Sequence, residues 1–190
     1  MKNIIAHIFI VLLIIPAKFL SAQDKQQTFN TDNIPVDKIS KLITYTEVVH
    51  VKNVSTAVLY KRAFDWFNTY YKNPTDVIRE NDSTKGTIVG KSRFKIFNAP
   101  DKKGLRTDAG LIMYTIKVSI REGRYKYEIT ELNQKAASYT PLEPWLDTES
   151  RSYNPAYPGY FEQIDSEIRD AIESLKRAMS TAPPVKNDNW

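Results

Sequence analysis

The stretch GLIMYTIKVSIREGRYKYEITEL, Gly110 to Leu132, decides the fold. Ile112, Tyr114, Ile116, Val118 and Ile120 fall on one side of it, and Met113, Thr115, Lys117, Ser119 and Arg121 on the other. After a turn at Glu122 and Gly123 the alternation resumes, with Tyr125, Tyr127 and Ile129 opposing Arg124, Lys126, Glu128 and Thr130. A period of two on both sides of a two-residue turn predicts an antiparallel hairpin with one buried face. The rest of the chain must supply a cover for that face and further strands beside it.

Upstream, Gly86 to Phe97 alternates in the same way, with Ile88, Phe94 and Ile96 inward and Thr87, Val89, Lys91, Arg93 and Lys95 outward. Gly90 falls on the inward side, where a missing side chain leaves room for a large neighbour such as Trp66. Asp76 to Asp82 forms a short strand before the turn at Ser83 to Gly86. A first strand runs from Leu42 to Val51, with Ile43, Tyr45, Val49 and Val51 opposed to Thr44, Thr46, Val48 and His50; Glu47 alone breaks the pattern.

Two amphipathic helices are predicted to cover the apolar face. Ser55 is placed as an N-cap, with Val54 and Leu59 as a hydrophobic staple. Leu59, Ala63, Trp66, Phe67 and Tyr70 then recur at helical spacing until Asn73 and Pro74 stop the helix. An aromatic in such a stripe is core, which assigns Trp66 to packing. The second helix spans Tyr160 to Met179, with Phe161, Ile164, Ile168, Ile172, Leu175 and Met179 on one face, acids early, and Lys176 and Arg177 late. Between hairpin and helix, Tyr139 to Tyr160 combines four prolines with Trp145 and four tyrosines. This predicts an ordered, non-helical strap, residues 139–160, lying across the fold.

The N-terminus reads as an export signal. Met-Lys-Asn precedes an apolar run ending in Ser21 and Ala22, and its uninterrupted part is too short to span a bilayer. Residues 1–22 are expected to be cleaved, 23–40 to form a flexible polar leader, 41–180 a single domain and 181–190 a tail. No cysteine follows the apolar run, which excludes lipoprotein processing; a periplasmic or extracellular location follows, with no transmembrane segment after cleavage. With no cysteine there is also no disulfide, so burial alone must hold the fold. Without Lys2 and Lys18 the balance is 25 basic to 22 acidic side chains, too even to argue for nucleic acid, which export also disfavours.

The predicted class is therefore α+β: an antiparallel sheet of about five strands, in the order strand, helix, strands, helix, with both helices on one face. The chain resembles the exported bacterial family called domain of unknown function 4468. The resemblance rests on Trp66, on Gly86-Thr87-Ile88-Val89-Gly90, on Gly123-Arg124-Tyr125-Lys126-Tyr127 and on Ser174-Leu175-Lys176-Arg177-Ala178-Met179. It covers about residues 43 to 179 and implies a fold like that of the TATA-binding protein (TBP-like) and an exported location, with no activity or catalytic residues to carry over. Such a fold does not imply DNA binding.

Few residues offer catalytic chemistry. Gly86 to Ser92, GTIVGKS, has three residues between its glycines where a phosphate loop needs four, and it continues as a strand where a helix must begin. His50 is the only histidine after the signal, and the absence of cysteine removes thiol nucleophiles and His/Cys metal sites; neither a metal nor another cofactor is called for. Glu128 and Glu131 should point to opposite faces, which leaves Glu128 with Glu47 or Glu80 as the carboxylate pairings open for glycoside hydrolysis.

The outward sheet face is the constellation with direction. Lys91, Arg93, Lys95, Lys117, Arg121, Arg124 and Lys126 share it, answered mainly by Glu128, with Trp145 of the strap as a candidate rim. Such a face suits an acidic glycan, a lipid headgroup or an acidic protein segment. An ordinary solvated face, charged against edge pairing, has the same composition. The function expected is a non-enzymatic envelope binding module. The alternatives are an assembly module using the last helix or a strand edge, and a carboxylate-dependent hydrolase. Neither a specific ligand nor an oligomeric state follows from these residues.

Overall fold

A computed structural model describes residues 29–180; the segments expected to be a signal, 1–22, and a tail, 181–190, lie outside the described residues. The elements in order are β1 (Tyr45–His50), α1 (Thr56–Tyr70), the one-turn α2 (Pro74–Val77), β2 (Ile78–Asp82), β3 (Thr87–Phe97), β4 (Asp108–Arg121), β5 (Arg124–Lys135), β6 (Tyr139–Pro141) and α3 (Tyr157–Ser180). The strands form one antiparallel sheet in the order β1-β5-β4-β3-β2, and β6 pairs with the end of β5.

The predicted hairpin is the middle of this sheet. Ile112, Ile116, Val118 and Ile129 are fully buried, and Tyr114, Ile120, Tyr125 and Tyr127 nearly so. Each such aliphatic side chain contributes about 1.5–3 kcal/mol relative to exposure. α1 and α3 cover that face. Trp66 is core as expected, and its indole Nε1 donates to Ser174 Oγ at 3.1 Å, tying the two helices together. Ser55 caps α1 by accepting from the Val58 amide.

Several expectations change in detail. Pro74 stops α1 and also starts α2, so β2 begins at Ile78 rather than Asp76; proline suits a first helical turn because its missing N–H would have no partner there. The space left by Gly90 is filled by Phe67 and Val77, not by Trp66. The strap is built rather than draped. Tyr139–Pro141 adds a sixth strand, Glu143–Leu146 forms a 3-10 turn, and α3 starts at Tyr157 with Pro158 in its first turn.

The polar leader departs from expectation most. Within its described part, Asn30 caps a 3-10 turn at Thr31–Asn33, Ile34 enters the core, and the Thr44 amide donates to Pro35 O at 2.9 Å. Ile34 is the one buried residue of this described part, with Phe29 packed beside the core, and one buried position leaves no periodicity to detect.

Candidate functional site

The sheet face turned away from α1 and α3 carries Lys91, Arg93 and Lys95 from β3, Lys117 and Arg121 from β4, and Arg124, Lys126 and Glu128 from β5. Cross-strand register sets them in rows, such as Lys117 against both Val89 and Glu128. Trp145 is a correction: it is 6% exposed, stacked on Tyr157 at 4.5 Å, and belongs to the core on the other side. Its flat ring is covered by α3 and so cannot form a rim.

The counter-charges also differ from expectation. Lys126 pairs with Glu128 at 2.8 Å, but Lys91 pairs with Glu131 at 3.3 Å and Lys95 with Asp108 at 2.7 Å. Glu131 was expected on the opposite side from Glu128. It reaches the open face because β5 bulges: Glu131 has φ +54°, and the register shifts between Met113 and Thr115. Its Oε2 accepts from Thr115 Oγ1 at 2.7 Å, which, ahead of Lys91, holds its carboxyl below the usual range. Arg93, Lys117, Arg121 and Arg124 have no ion-pair partner among the described residues.

The hairpin tip concentrates that excess. His50, Arg124 and Arg121 stand in one cross-strand row, which sets two arginines directly opposite each other. Like charges in that position repel. The nearest acid, Glu122, is turned away: its carboxylate accepts from the Thr56 amide at 3.0 Å and from Thr56 Oγ1, at the positive end of α1. A 330 Å3 concavity lies beside the row, lined by Val48, Ser119, Arg121, Arg124, Tyr125 and Lys126. His50 is exposed here rather than built into the core.

A larger groove of 710 Å3 follows the start of β1, between residues 33–39 and α3. Sequence reasoning missed it, although Glu47 was a signal. Glu47 points to the helix side and is answered there by Lys176 Nζ at 2.8 Å and by the Tyr127 hydroxyl at 3.0 Å. Beside them the Tyr45 hydroxyl donates to Asp165 at 2.9 Å, and Arg169 pairs with the same carboxylate at 2.7 Å. Burial, then the Asp165 charge, pushes the Tyr45 phenol up. Each carboxylate is already matched to a cation and a phenol, so the cluster's chemistry is to pin α3 to the sheet edge. Glu47 and Glu128 project from opposite faces, which removes one of the pairings left open above. Glu80 shares a cross-strand row with Glu128 but stands three strands away, about 14 Å between backbones. Among the described residues no three His, Cys, Asp or Glu side chains gather to hold a metal ion.

These pairs set an acid dependence. Glu47 is held low by its Lys176 and then its Tyr127 hydrogen bond, and Asp108 by Lys95 and then the Gly110 amide. With folded values below the unfolded ones, the native state binds fewer protons than the unfolded chain in that window. Their stabilisation is present above the unfolded values and is lost as pH falls through the lowered ones. All are substantially exposed, so the effect is modest. Thermal melts should show Tm falling on acidification below about pH 4.5. Glu47→Gln should lower Tm at neutral pH and flatten that fall; an unchanged slope would remove Glu47 from the account.

Among the described residues no helix is long and apolar enough to cross a membrane. No curated protein matches the chain. Solved structures share its fold. A DUF4468 family protein from Bacteroides ovatus ATCC 8483 matches with TM-score 0.58 and 18% identity, covering 85% of this chain and 99% of that one. A TBP-like protein from Parabacteroides distasonis ATCC 8503 matches with TM-score 0.54 and 15% identity, covering 75% and 97%. Residues 45–135, β1 through β5, match the model of the domain of unknown function (DUF4468) with TBP-like fold.

Proposed function

We propose that this is an exported envelope protein whose open sheet face binds an anionic ligand. The observation that carries the reading is the row at the hairpin tip, where Arg121 and Arg124 oppose each other without a carboxylate while Glu122 is spent on α1. Repulsion between the two is a cost that the unliganded fold bears and that a bound anion relieves. Lys91, Lys95 and Lys126 on the same face each have a carboxylate partner, whereas the two opposed arginines have none among the described residues.

The test is titration of the mature chain with polyphosphate and with polygalacturonate, beside the variant Arg121→Glu/Arg124→Glu. Binding should weaken by about tenfold or more in the variant, equivalent to 1.4 kcal/mol, and should fall with added salt. Equal affinity in a folded variant would overturn the reading.

One observation favours an assembly module as the second reading. Among the described residues the outer edge of β1 has no partner strand, and Val48 on it is 49% exposed. The apolar stripe of α3, which that reading would otherwise use, is buried on its own sheet. Sedimentation of the native chain and of Val48→Lys decides: a self-associating protein that becomes monomeric supports it, and a monomer in both cases ends it.

A further inference from the structure

The open face has a second recess, and its chemistry differs from that of the hairpin tip. It is a 280 Å3 concavity lined by Lys91, Met113, Thr115, Glu131, Asn133 and Tyr139, among others. Three features distinguish it. Glu131 is a non-glycine residue with positive φ, an uncommon conformation, and the bulge that imposes it re-aims a carboxylate onto the open face. Thr115 and Lys91 fix that carboxylate in place, and the Asn133 amide donates to Glu131 O at 2.6 Å. Tyr139, on β6 beside Lys135, leaves its ring 60% exposed at the rim.

A face built only for anions has no use for a fixed carboxylate. Glu131 accepts hydrogen bonds and donates none, so it repels phosphate or carboxylate and welcomes a hydroxyl. An exposed phenol ring beside it offers a flat amphipathic surface. Hydroxyl donors on a ring with apolar C–H faces satisfy both, and a sugar has that composition. The six-residue step along β4 from Thr115 to Arg121 spans about 20 Å, so one ligand that uses both ends is a polymer, not a single headgroup.

We propose that the open face takes an extended acidic polysaccharide, one sugar ring resting on Tyr139 with hydroxyls toward Glu131, and anionic groups downstream on Lys117, Arg121 and Arg124. The inference rests on the anion-binding reading above and names its ligand class. Tyr139 is exposed and Glu131 lies at the surface, so Tyr139→Ala and Glu131→Gln leave the core untouched.

The experiment is titration calorimetry of the mature chain and its variants with polygalacturonate, polyphosphate and poly-glutamate, with folding checked by thermal melts. Tyr139→Ala should weaken polygalacturonate binding about tenfold and leave polyphosphate unchanged. Glu131→Gln should weaken the polysaccharide and, by removing a negative charge, leave polyphosphate equal or tighter. Arg121→Glu/Arg124→Glu should weaken both polymers. If the charge reversal acts but Tyr139→Ala and Glu131→Gln leave polygalacturonate unchanged, the polysaccharide inference falls and the anion reading stands. Binding of polyphosphate without polygalacturonate has the same meaning. Poly-glutamate binding that depends equally on Tyr139 replaces the polysaccharide with an acidic protein segment. No response to charge reversal removes both.

Discussion

Gly90→Ala is expected to lower the unfolding free energy by about 2 kcal/mol, and Gly90→Val to leave no cooperative transition. Gly90 sits in the middle of β3, opposite Ile78 and Ile116. Its φ is not in the left-handed region, so alanine fits the backbone and, away from other contacts, would be preferred in a strand. The objection is space. A Cβ built there stands 2.7 Å from Phe67 Cε1 and 3.1 Å from Val77 Cγ1, and Phe67 is fully buried on α1. Relief would require α1 to lift from the sheet or the ring to leave its place between Trp66 and Tyr71, with which it is in contact at centroid distances of 5.1 and 5.7 Å. Phe67→Leu alone opens a partial cavity and should also destabilise. Combined with Gly90→Ala it should cost less than the sum, because one change vacates what the other fills. Urea melts of the four proteins measure this. Additive losses would show that the alanine methyl meets something other than Phe67.

The central hairpin was legible because alternation over β4 and β5 is set by one buried face, and no long-range information is needed to see it. Trp66 was legible for the same reason, from helical spacing. The neighbour of Gly90 was not. The sequence shows that a residue is missing a side chain but not which of Trp66 and Phe67, adjacent on the stripe, turns into the gap. Glu131 was misplaced by strict alternation, because a bulge is a property of two strands in register and cannot be read from one. Glu47 was visible as a break in the pattern, yet its answer, Lys176, comes from a helix 129 residues later. The basic face was legible as a list of outward cations. Which of them are neutralised depended on Glu131, Asp108 and the diversion of Glu122, and therefore on tertiary contacts.

Trp145→Ala is expected to cost about 3–5 kcal/mol of stability while leaving the anion affinity of the folded protein unchanged. Composition placed this residue on a rim, since a tryptophan in a proline-rich strap has no periodicity to reveal its partner. The structure gives it one: the indole lies parallel to the Tyr157 ring, at an interplanar angle of 1°, with Phe161 edge-on at 6.1 Å. The strap is anchored just ahead of it. The Leu142 amide donates to Leu132 O at 3.1 Å, Leu142 is fully buried, and the Glu143 carboxylate accepts from the Ile43 amide at 2.9 Å. Removing the indole opens a cavity where the strap, the start of α3 and the end of β5 meet, and these backbone anchors resist the collapse that would fill it. Tyr139→Ala, six residues earlier in the same strap, should change stability by less than about 0.5 kcal/mol, since its ring is mostly in water. The pair separates the strap into a structural half and a surface half. A Trp145→Ala protein as stable as the native chain, or one that folds normally but loses ligand, would return the indole to the binding surface and undo that division.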